Sequence, residues 1–228
     1  MAVRTPLSPL YAAEAWVFDL DNTLYSSTID LFAQIDVRMR AYIAAYLGLD
    51  LDAAFGLQKR YFHEYGTSLR GLMDRHGMDP RPFLEHVHDI DVSVLDPSPA
   101  LDRQLGRLSG RKLIFTNAST DHAERVLGQL GIGHHFDAIF DIFAADFHPK
   151  PTPAIYARLV ERYRLDPRRT VMVEDMARNL APAAALGMTT VWIRNTTAHG
   201  IIGADGDYID HAIDDLLSWL EMISETRC

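Results

Sequence analysis

Short apolar runs recur along this chain, and from residue 99 onward amphipathic helical patterns separate them. Such alternation predicts repeated strand–helix–strand units, which build a parallel sheet that helices cover on both faces. We therefore expect an α/β protein with a Rossmann-like, doubly wound core of three layers, α/β/α. The predicted strands are 15–20 (AWVFDL), 112–116 (KLIFT), 138–143 (AIFDIF), 170–174 (TVMVE) and 189–193 (TTVWI), and the predicted core helices are 99–108, 120–130, 152–163, 176–186 and 214–223.

A long segment without any strand pattern interrupts the core after its first strand. Apolar residues recur there at spacings of three and four, which predicts amphipathic helices. We expect this segment to form a helical cap domain inserted into the core. The predicted cap helices are 29–48, 52–65, 67–76 and 80–88, the cap is 29–95, the core is 1–28 together with 96–228, and the hinges are 21–28 and 89–98.

The composition limits the partners that the chain is expected to bind. Its 228 residues carry 22 basic and 31 acidic side chains, so the formal charge is −9, and no basic run is present to bind a nucleic acid polymer. The single cysteine, Cys228, allows neither an intrachain disulfide nor a cysteine-based metal cage. The N-terminus lacks the apolar core of a signal peptide. We expect a cytoplasmic monomer or homodimer with no membrane partner, and a loose tail over residues 1–13.

Polar side chains follow four of the predicted strands, at the point where each strand ends. Parallel strands place their carboxyl ends on one rim of the sheet, so these side chains are expected to meet. Carboxylates held close together repel one another and need a cation, and an oxygen-only ligand set suits Mg²⁺. A lysine and a hydroxyl would bind phosphoryl oxygens, while one aspartate attacks phosphorus and another transfers the proton. The residues are Asp19, Asp21, Thr116, Asn117, Asp146, Lys150, Glu174 and Asp175.

The same groups, in the same order, resemble the four motifs of the haloacid dehalogenase superfamily. The motifs are Asp19-x-Asp21-x-Thr23, Thr116-Asn117, Lys150-Pro151 and Glu174-Asp175. The resemblance extends from about residue 15 to residue 195. The second aspartate, Asp21, favours the phosphatase branch over the dehalogenases, which do not need that acid/base. The resemblance therefore implies a phosphatase that takes a small-molecule phosphomonoester and uses Mg²⁺ as its cofactor.

The resemblance also implies a role for each residue of the first three motifs. Asp19 would be the nucleophile and a Mg²⁺ ligand. Asp21 would be the general acid/base, and its backbone carbonyl would bind the metal. Thr116 and Lys150 would hold the phosphoryl group, with Asn117 contributing from the same loop as Thr116.

The fourth motif is expected to complete the metal site. The resemblance implies Asp175 as a further Mg²⁺ ligand and Glu174 as a ligand through water. Many members carry another acid about four residues after the last aspartate, whereas this chain has Asn179. The outer shell of the metal would therefore carry one negative charge less. Taken alone, Asp175 is equally explained as the N-cap of the helix that follows.

Three shorter stretches resemble the pyrimidine 5′-nucleotidase subgroup, whose members remove phosphate from UMP- and CMP-like nucleotides. They are FDLDNTLYSS (18–27), YGTSLRGLM (65–73) and VEDMARNL (173–180). The resemblance implies Arg70 as a contact for substrate phosphate or sugar, and Tyr25, His63 and Tyr65 as walls of the substrate pocket. Related caps also serve enzymes that act on pyridoxal phosphate, sugar phosphates and phosphoglycolate, so these substrates remain alternatives.

Other interpretations of the same residues stay open at this point. A phosphomutase would use the same phospho-aspartate to move phosphate within a sugar. A non-catalytic regulator would use the cap surface, although it would not need the four polar motifs together. Arg70 is equally explained as part of a salt bridge within the cap. His134, His135 and His148 invite a metal site, but they do not form a helical pair spaced four residues apart.

Overall fold

The computed structural model describes residues 8–29, 31–195, 197 and 200–225. Its strands are β1 (Ala15–Phe18), β2 (Arg111–Phe115), β3 (Ala138–Phe140), β4 (Thr170–Glu174), β5 (Thr189–Ile193) and β6 (His211–Ile213). They form one parallel sheet in the order β3-β2-β1-β4-β5-β6. Apolar clusters lie on both of its faces, where helices cover it. This arrangement confirms the predicted doubly wound α/β fold.

The described residues form ten α-helices, and five of them, α2 to α6, lie between β1 and β2. The helices are α1 (Ser8–Tyr11), α2 (Leu31–Leu47), α3 (Leu51–Tyr65), α4 (Ser68–His76), α5 (Pro80–His88), α6 (Pro99–Arg107), α7 (Thr120–Leu130), α8 (Pro153–Tyr163), α9 (Ala181–Leu186) and α10 (Leu216–Glu225). Short 3-10 helices lie at Val92–Val94, Gly133–His135, Pro167–Arg169 and Ala177–Leu180. No helix in the described part of the chain is long and apolar enough to cross a membrane.

The central strand β1 is buried on both faces, as its uninterrupted apolar sequence predicts. Successive side chains of a strand point to opposite faces, and β1 follows this rule. Trp16 and Phe18 belong to the cluster on one face, which Trp219 of α10 joins, whereas Ala15 and Val17 belong to the cluster on the other. The end of β1 is therefore fixed from both sides, and the residues that follow it start from a rigid position.

The helices α2 to α5 pack against one another, in the segment where the cap is predicted. Side-chain caps begin three of them: Asp50, Thr67 and Asp79 each accept a hydrogen bond from a backbone N–H of the first helical turn. Gly71 of α4 lies directly against Tyr61 of α3, because a Cβ at residue 71 would lie 2.5 Å from the tyrosine Cγ. The division at residues 29 and 95 stays a prediction.

Two predicted strands are shorter in the structure, and in each case a polar residue ends the strand. The first ends at Phe18 rather than at residue 20, because the backbone then turns and Asn22 adopts a left-handed conformation with φ 61°. The third ends at Phe140 rather than at residue 143. Asp141 stops it by accepting hydrogen bonds from the backbone N–H groups of Thr120 and Ala144.

Three further predictions of local structure were wrong. The predicted helix 176–186 is a 3-10 helix followed by the short α9, because Pro182 has no N–H to continue a helical ladder. Strand β6 was missed, since it has only three residues and aspartates flank it. Part of the predicted loose tail, Ser8–Tyr11, is helical, and Leu10 is buried. Residues 1–7 of that tail lie outside the described residues.

Candidate active site

The turn after β1 carries the first pair of predicted site residues. The Asp19 backbone N–H donates to the Val173 carbonyl oxygen (2.9 Å), so this residue continues the pairing with β4. The Leu24 N–H then donates to the Leu20 oxygen (3.1 Å), which closes the turn. Asn22 occupies the left-handed position, which asparagine tolerates better than most residues. The sequence of this turn thus brings two aspartates to the rim.

A buried lysine connects the ends of three strands at this rim. Lys150, whose residue is only 2% exposed, donates from Nζ to Asp19 Oδ1 (2.6 Å) and to Glu174 Oε1 (2.9 Å). The same ammonium group donates to the carbonyl oxygen of Phe115 at the end of β2 (2.9 Å). All three N–H bonds of the ammonium group therefore have acceptors, as a buried charge requires.

The predicted phosphate-binding residues after β2 lie beside this lysine. The Asn117 side-chain oxygen accepts the backbone N–H of Lys150 (2.8 Å), which ties the two loops together. Thr116 is buried, and its Oγ1 accepts the N–H of Ala118 (3.0 Å). Asp146, by contrast, is exposed and is not among the described residues that line the cavity at the rim.

Three buried carboxylates converge at the same place. Asp19, Glu174 and Asp175 each offer an oxygen, and these oxygens lie within 4.8 Å of one another. Glu174 Oε2 accepts the backbone N–H of Asp175 (2.8 Å), and Asn179 donates from Nδ2 to Glu174 Oε1. Asp175 Oδ2 accepts a hydrogen bond from Asn195 Nδ2 (2.7 Å). Asp19 Oδ2 accepts the Thr23 hydroxyl (3.1 Å), so hydrogen bonds orient all three carboxylates.

The electrostatics of this cluster favour a bound cation. Burial and the charge of Glu174 raise the pKa of Asp19 to about 7, although Lys150 opposes that shift. Burial and the Glu174 charge also hold the pKa of Asp175 well above its ordinary value. Burial lowers the pKa of Lys150, but Asp19 and Glu174 outweigh it and raise the pKa, so the ammonium stays charged. One lysine does not neutralise three carboxylates, and the oxygen-only donor set fits a hard divalent cation such as Mg²⁺.

The second aspartate of the turn, Asp21, has different partners. Its Oδ1 accepts a hydrogen bond from His122 Nε2 (2.9 Å) and another from the Tyr25 hydroxyl (2.7 Å). Burial raises the pKa of Asp21, but the charge of His122 and both hydrogen bonds outweigh it and lower the pKa. Tyr25 therefore contacts the predicted acid/base, and it is not among the described residues that line the cavity.

His122 is a site residue that the sequence analysis missed. It is fully buried in the first turn of α7, three residues after the N-cap Ser119. Because α7 follows β2, its first turn lies at the same rim as the carboxyl ends of the strands. A polar residue in the first turn of a helix that begins at a predicted catalytic rim was the signal available in the sequence.

A cavity of about 470 Å³ lies between the rim and the inserted helices. The polar motif residues line it on the side of the sheet. They are Asp19, Asp21, Thr116, Asn117, Lys150, Glu174 and Asp175. On the other side, the inserted helices contribute a mostly apolar wall. Its apolar members are Phe32, Ile35, Met39, Phe62, Leu69, Phe83, Leu84 and Val87. The structure thus brings these seven residues to one cavity.

Three predicted substrate residues of the inserted helices are not among the described residues that line this cavity. Arg70 forms a bidentate ion pair with Asp74 one turn along α4, with distances of 2.8 and 2.9 Å. His63 is exposed, and Tyr65 is half-buried. Phe62 is the residue of that helix turn that lines the cavity. A one-residue step on a helix rotates a side chain by about 100°, and the resemblance did not determine which face of α3 is turned inward.

The adjacent histidines that invited a metal site both lie beside Asp102, and the ligand atoms of the three residues are within 4.8 Å of one another. Nε2 of His135 forms a hydrogen bond with Asp102 Oδ1 (2.8 Å), and Nε2 of His134 lies 3.1 Å from the same oxygen. Neither histidine is among the described residues that line the cavity, and the same holds for His148.

The fold and the rim of buried carboxylates around a lysine define the class of protein. The chain belongs to the haloacid dehalogenase-like hydrolase family, whose family model matches residues 13–187. It is 29% identical over 195 residues to phosphate metabolism protein 8 of Saccharomyces cerevisiae, and the aligned region covers 78% of this chain and 60% of that protein. It is 26% identical over 229 residues to the glyceraldehyde 3-phosphate phosphatase of Methanocaldococcus jannaschii, and this aligned region covers 92% of this chain and 97% of that protein.

The fold is also similar to that of a solved enzyme. The crystal structure of a HAD phosphatase from Thermococcus onnurineus superposes with a TM-score of 0.62, at 22% sequence identity. The match covers 92% of this chain and 97% of that one, so it includes the inserted helices as well as the sheet. At this level of identity the similarity concerns the fold alone.

Proposed function

We propose that this protein is a Mg²⁺-dependent phosphatase that hydrolyses a small phosphomonoester through an aspartyl-phosphate on Asp19. The observation that carries this proposal is the buried Lys150, which bridges Asp19 and Glu174 beneath the cavity. A cation held next to a nucleophilic carboxylate is the arrangement that phosphoryl transfer requires, because the incoming group is an anion. We also propose that the protein is cytoplasmic and acts as a monomer or homodimer.

The proposed reaction divides the work between the two aspartates. A carboxylate oxygen of Asp19 attacks phosphorus, the bond from phosphorus to the ester oxygen breaks, and Asp21 gives a proton to the departing oxygen. Asp21 takes up that proton when the anionic ester binds, because a nearby negative charge raises the pKa that His122 and Tyr25 lower in the free protein. Water then attacks the phosphorus of the acyl phosphate, Asp21 takes a proton from that water, and the bond from phosphorus to Asp19 breaks, which releases phosphate and restores the carboxylate. Lys150, with Thr116 and Asn117, holds the phosphoryl oxygens during both steps. The raised pKa of Lys150 keeps it a cation throughout.

The metal would be held by the carboxylate cluster. Asp19 and Asp175 are the proposed direct ligands, together with the backbone carbonyl of Asp21, and Glu174 acts through water. When bound, Mg²⁺ would neutralise the charge that the phosphate brings to these carboxylates. Asn179 already donates to Glu174 Oε1, so its amide satisfies an oxygen that an acid at that position would repel. The missing charge of the outer shell is thus partly replaced by a hydrogen bond.

A pyrimidine nucleoside 5′-monophosphate is the proposed substrate. Its support is the resemblance of the three short stretches to pyrimidine 5′-nucleotidases, together with the mostly apolar wall that the inserted helices add to the cavity. An apolar wall with a few polar groups suits a flat base. A sugar or triose phosphate is the second candidate, which the similarity to the archaeal glyceraldehyde 3-phosphate phosphatase favours.

Phosphate release from UMP, CMP, glyceraldehyde 3-phosphate and p-nitrophenyl phosphate tests the proposal. We expect turnover with Mg²⁺, none with EDTA, and the highest kcat/KM for a pyrimidine nucleotide. Asp19→Asn should abolish turnover, whereas Asp146→Asn, the same change at an exposed carboxylate, should leave it intact. Activity that persists in EDTA would contradict the metal, and a near-normal rate for Asp19→Asn would contradict the nucleophile. Release of phosphate from the triose ester alone would select the second candidate.

A further inference from the structure

A pair of stacked, buried histidines links the predicted acid/base to the inserted helices. His122 Nε2 lies 2.9 Å from Asp21 Oδ1. The rings of His122 and His88 stack with their centroids 4.6 Å apart and their planes 23° apart. His88 is the last residue of α5, and it lines the cavity. The stack thus reaches from the turn after β1 to the point where the chain leaves the inserted helices.

Helix α7 fixes both ends of this link. His88 Nδ1 lies 2.9 Å from the hydroxyl of Ser119, which is the N-cap of α7. Arg125, also in α7, donates to the carbonyl oxygen of His88 (2.7 Å) and to that of Ile90. The end of α5 is therefore seated on the same helix that carries His122. A shift of α5 away from α7 would remove the ring that covers His122.

The His122 ring is fully buried, but few polar contacts orient it. A buried histidine is usually oriented by a hydrogen bond at its second nitrogen, but His122 Nδ1 has no hydrogen-bond partner in the described part of the chain. Its orientation therefore depends on the bond to Asp21 and on the stacked ring of His88. The Nε2 atom must carry the proton, because a carboxylate oxygen only accepts.

We propose that His122 is a positioning residue: it holds Asp21 Oδ1 so that Oδ2 faces the departing ester oxygen, and the His88 ring keeps His122 in place while α5 is seated on α7. The proposal rests on the proposed function. Tyr25 and His122 both occupy Oδ1, whereas Oδ2 has no hydrogen-bond partner among the residues that the structure describes. Asp21 would then act as an acid/base at full rate only when the inserted helices are in place.

The leaving group separates this role from a merely structural one. An alkoxide needs a proton in order to leave, whereas p-nitrophenolate leaves as a stable anion. Loss of a correctly placed acid should therefore lower kcat/KM for UMP far more than for p-nitrophenyl phosphate. A general loss of folding or of phosphate binding would lower both values together.

The experiment compares kcat/KM for both esters across a set of variants in Mg²⁺, with melting curves to check folding. Asp21→Asn should lower the UMP value selectively, by about 100-fold or more. His122→Leu should lower it selectively by roughly 10- to 100-fold, since a small misplacement of a catalytic group has costs of this size. His122→Gln, which places an amide N–H near Nε2, should restore most of it. His88→Leu should show a smaller selective loss.

Matched controls and contrary outcomes complete the test. His135→Leu and His135→Gln change a histidine that also binds an aspartate but lies away from the cavity, and the ratio of the two kcat/KM values should not move. Equal losses for both esters in His122→Leu, or no loss, would overturn the inference while Asp21→Asn still supports the proposed function. If His122→Leu does not fold, His122→Asn decides: its amide lies near Nδ1, and a rate equal to that of His122→Gln would refute the positioning role.

An inactive wild-type protein, or an Asp21→Asn variant without selective loss, would overturn the proposed function and the role of His122 with it. The two failures are therefore distinguishable. Failure of the proposed function appears in the wild type or in Asp21→Asn, whereas failure of the positioning role appears only in the histidine variants.

Discussion

The carboxylate of Asp19, the proposed nucleophile, is held in the folded chain at a cost in stability, and this cost can be measured. Asp19 is 7% exposed, and burial together with the Glu174 charge raises its pKa from an ordinary 3.8 to about 7 against the pull of Lys150. A shift of this size corresponds to about 4 kcal/mol between the two protonation states. The unfolded chain ionises Asp19 more easily than the folded chain does. The contribution of Asp19 to the free energy of unfolding is therefore fully present below about pH 4, and it is lost as the pH rises to about 7.

Replacing Asp19 by asparagine removes this titration and keeps an oxygen for Lys150. The neutral amide forms a weaker bond to the ammonium than a carboxylate does. This weaker bond offsets ~1–3 kcal/mol of the stability that is gained by removing the buried negative charge. We expect Asp19→Asn to exceed the wild type in free energy of unfolding by ~1–3 kcal/mol at pH 8 without metal. The difference should shrink steadily as the pH is lowered to 5, where the wild-type carboxyl is protonated in the folded state.

Urea unfolding of both proteins in EDTA, at several pH values from 5 to 8, measures this difference. Asp214→Asn serves as the control, because its carboxylate is 82% exposed and pairs with Arg194 at the surface. That variant should differ from the wild type by a small amount at every pH. A difference between Asp19→Asn and the wild type that does not change with pH, or a less stable Asp19→Asn at pH 8, would refute the reasoning. Added Mg²⁺ should stabilise the wild type more than the variant.

Two further predictions concern packing and the outer metal shell. Gly71→Ala should destabilise the protein by ~1–3 kcal/mol, because its Cβ would lie 2.5 Å from Tyr61 Cγ. Gly56→Ala has open space for its Cβ and should raise the free energy of unfolding by up to ~1 kcal/mol. Thermal or urea unfolding measures both differences. Asn179→Asp should lower the free energy of unfolding in EDTA by ~2 kcal/mol, because Glu174 then loses a hydrogen-bond donor and faces a like charge. The added negative charge should also tighten Mg²⁺ binding, which calorimetric titration measures. Equal stability of the two alanine variants, or unchanged metal affinity, would contradict these expectations.

The sequence predicted the sheet and the polar rim because both follow from topology. Residues as distant as Asp19 and Lys150 meet because parallel strands end on the same rim, and an apolar run followed by polar residues marks the ends that carry the site. The faces of the inserted helices could not be predicted in this way. Arg70 and Phe62 both lie in helical segments with apolar repeats, and only packing determines that Phe62 lines the cavity while Arg70 pairs with Asp74.

The structure places two proposed tasks, the handling of phosphate and the contact with the rest of the ester, in different parts of the chain. The charged groups of the cavity that would act on phosphate come from the ends of β1 and β4 and from the loop after β3, which the sheet fixes. The groups opposite them come mostly from α2 to α5, and they are largely apolar. Members of one family can therefore keep the rim and change the ester by altering only the inserted helices. The histidine stack lies where these two parts meet: α7 carries His122 against Asp21 and also holds the end of α5, so the position of the inserted helices and the orientation of the proposed acid/base depend on one element.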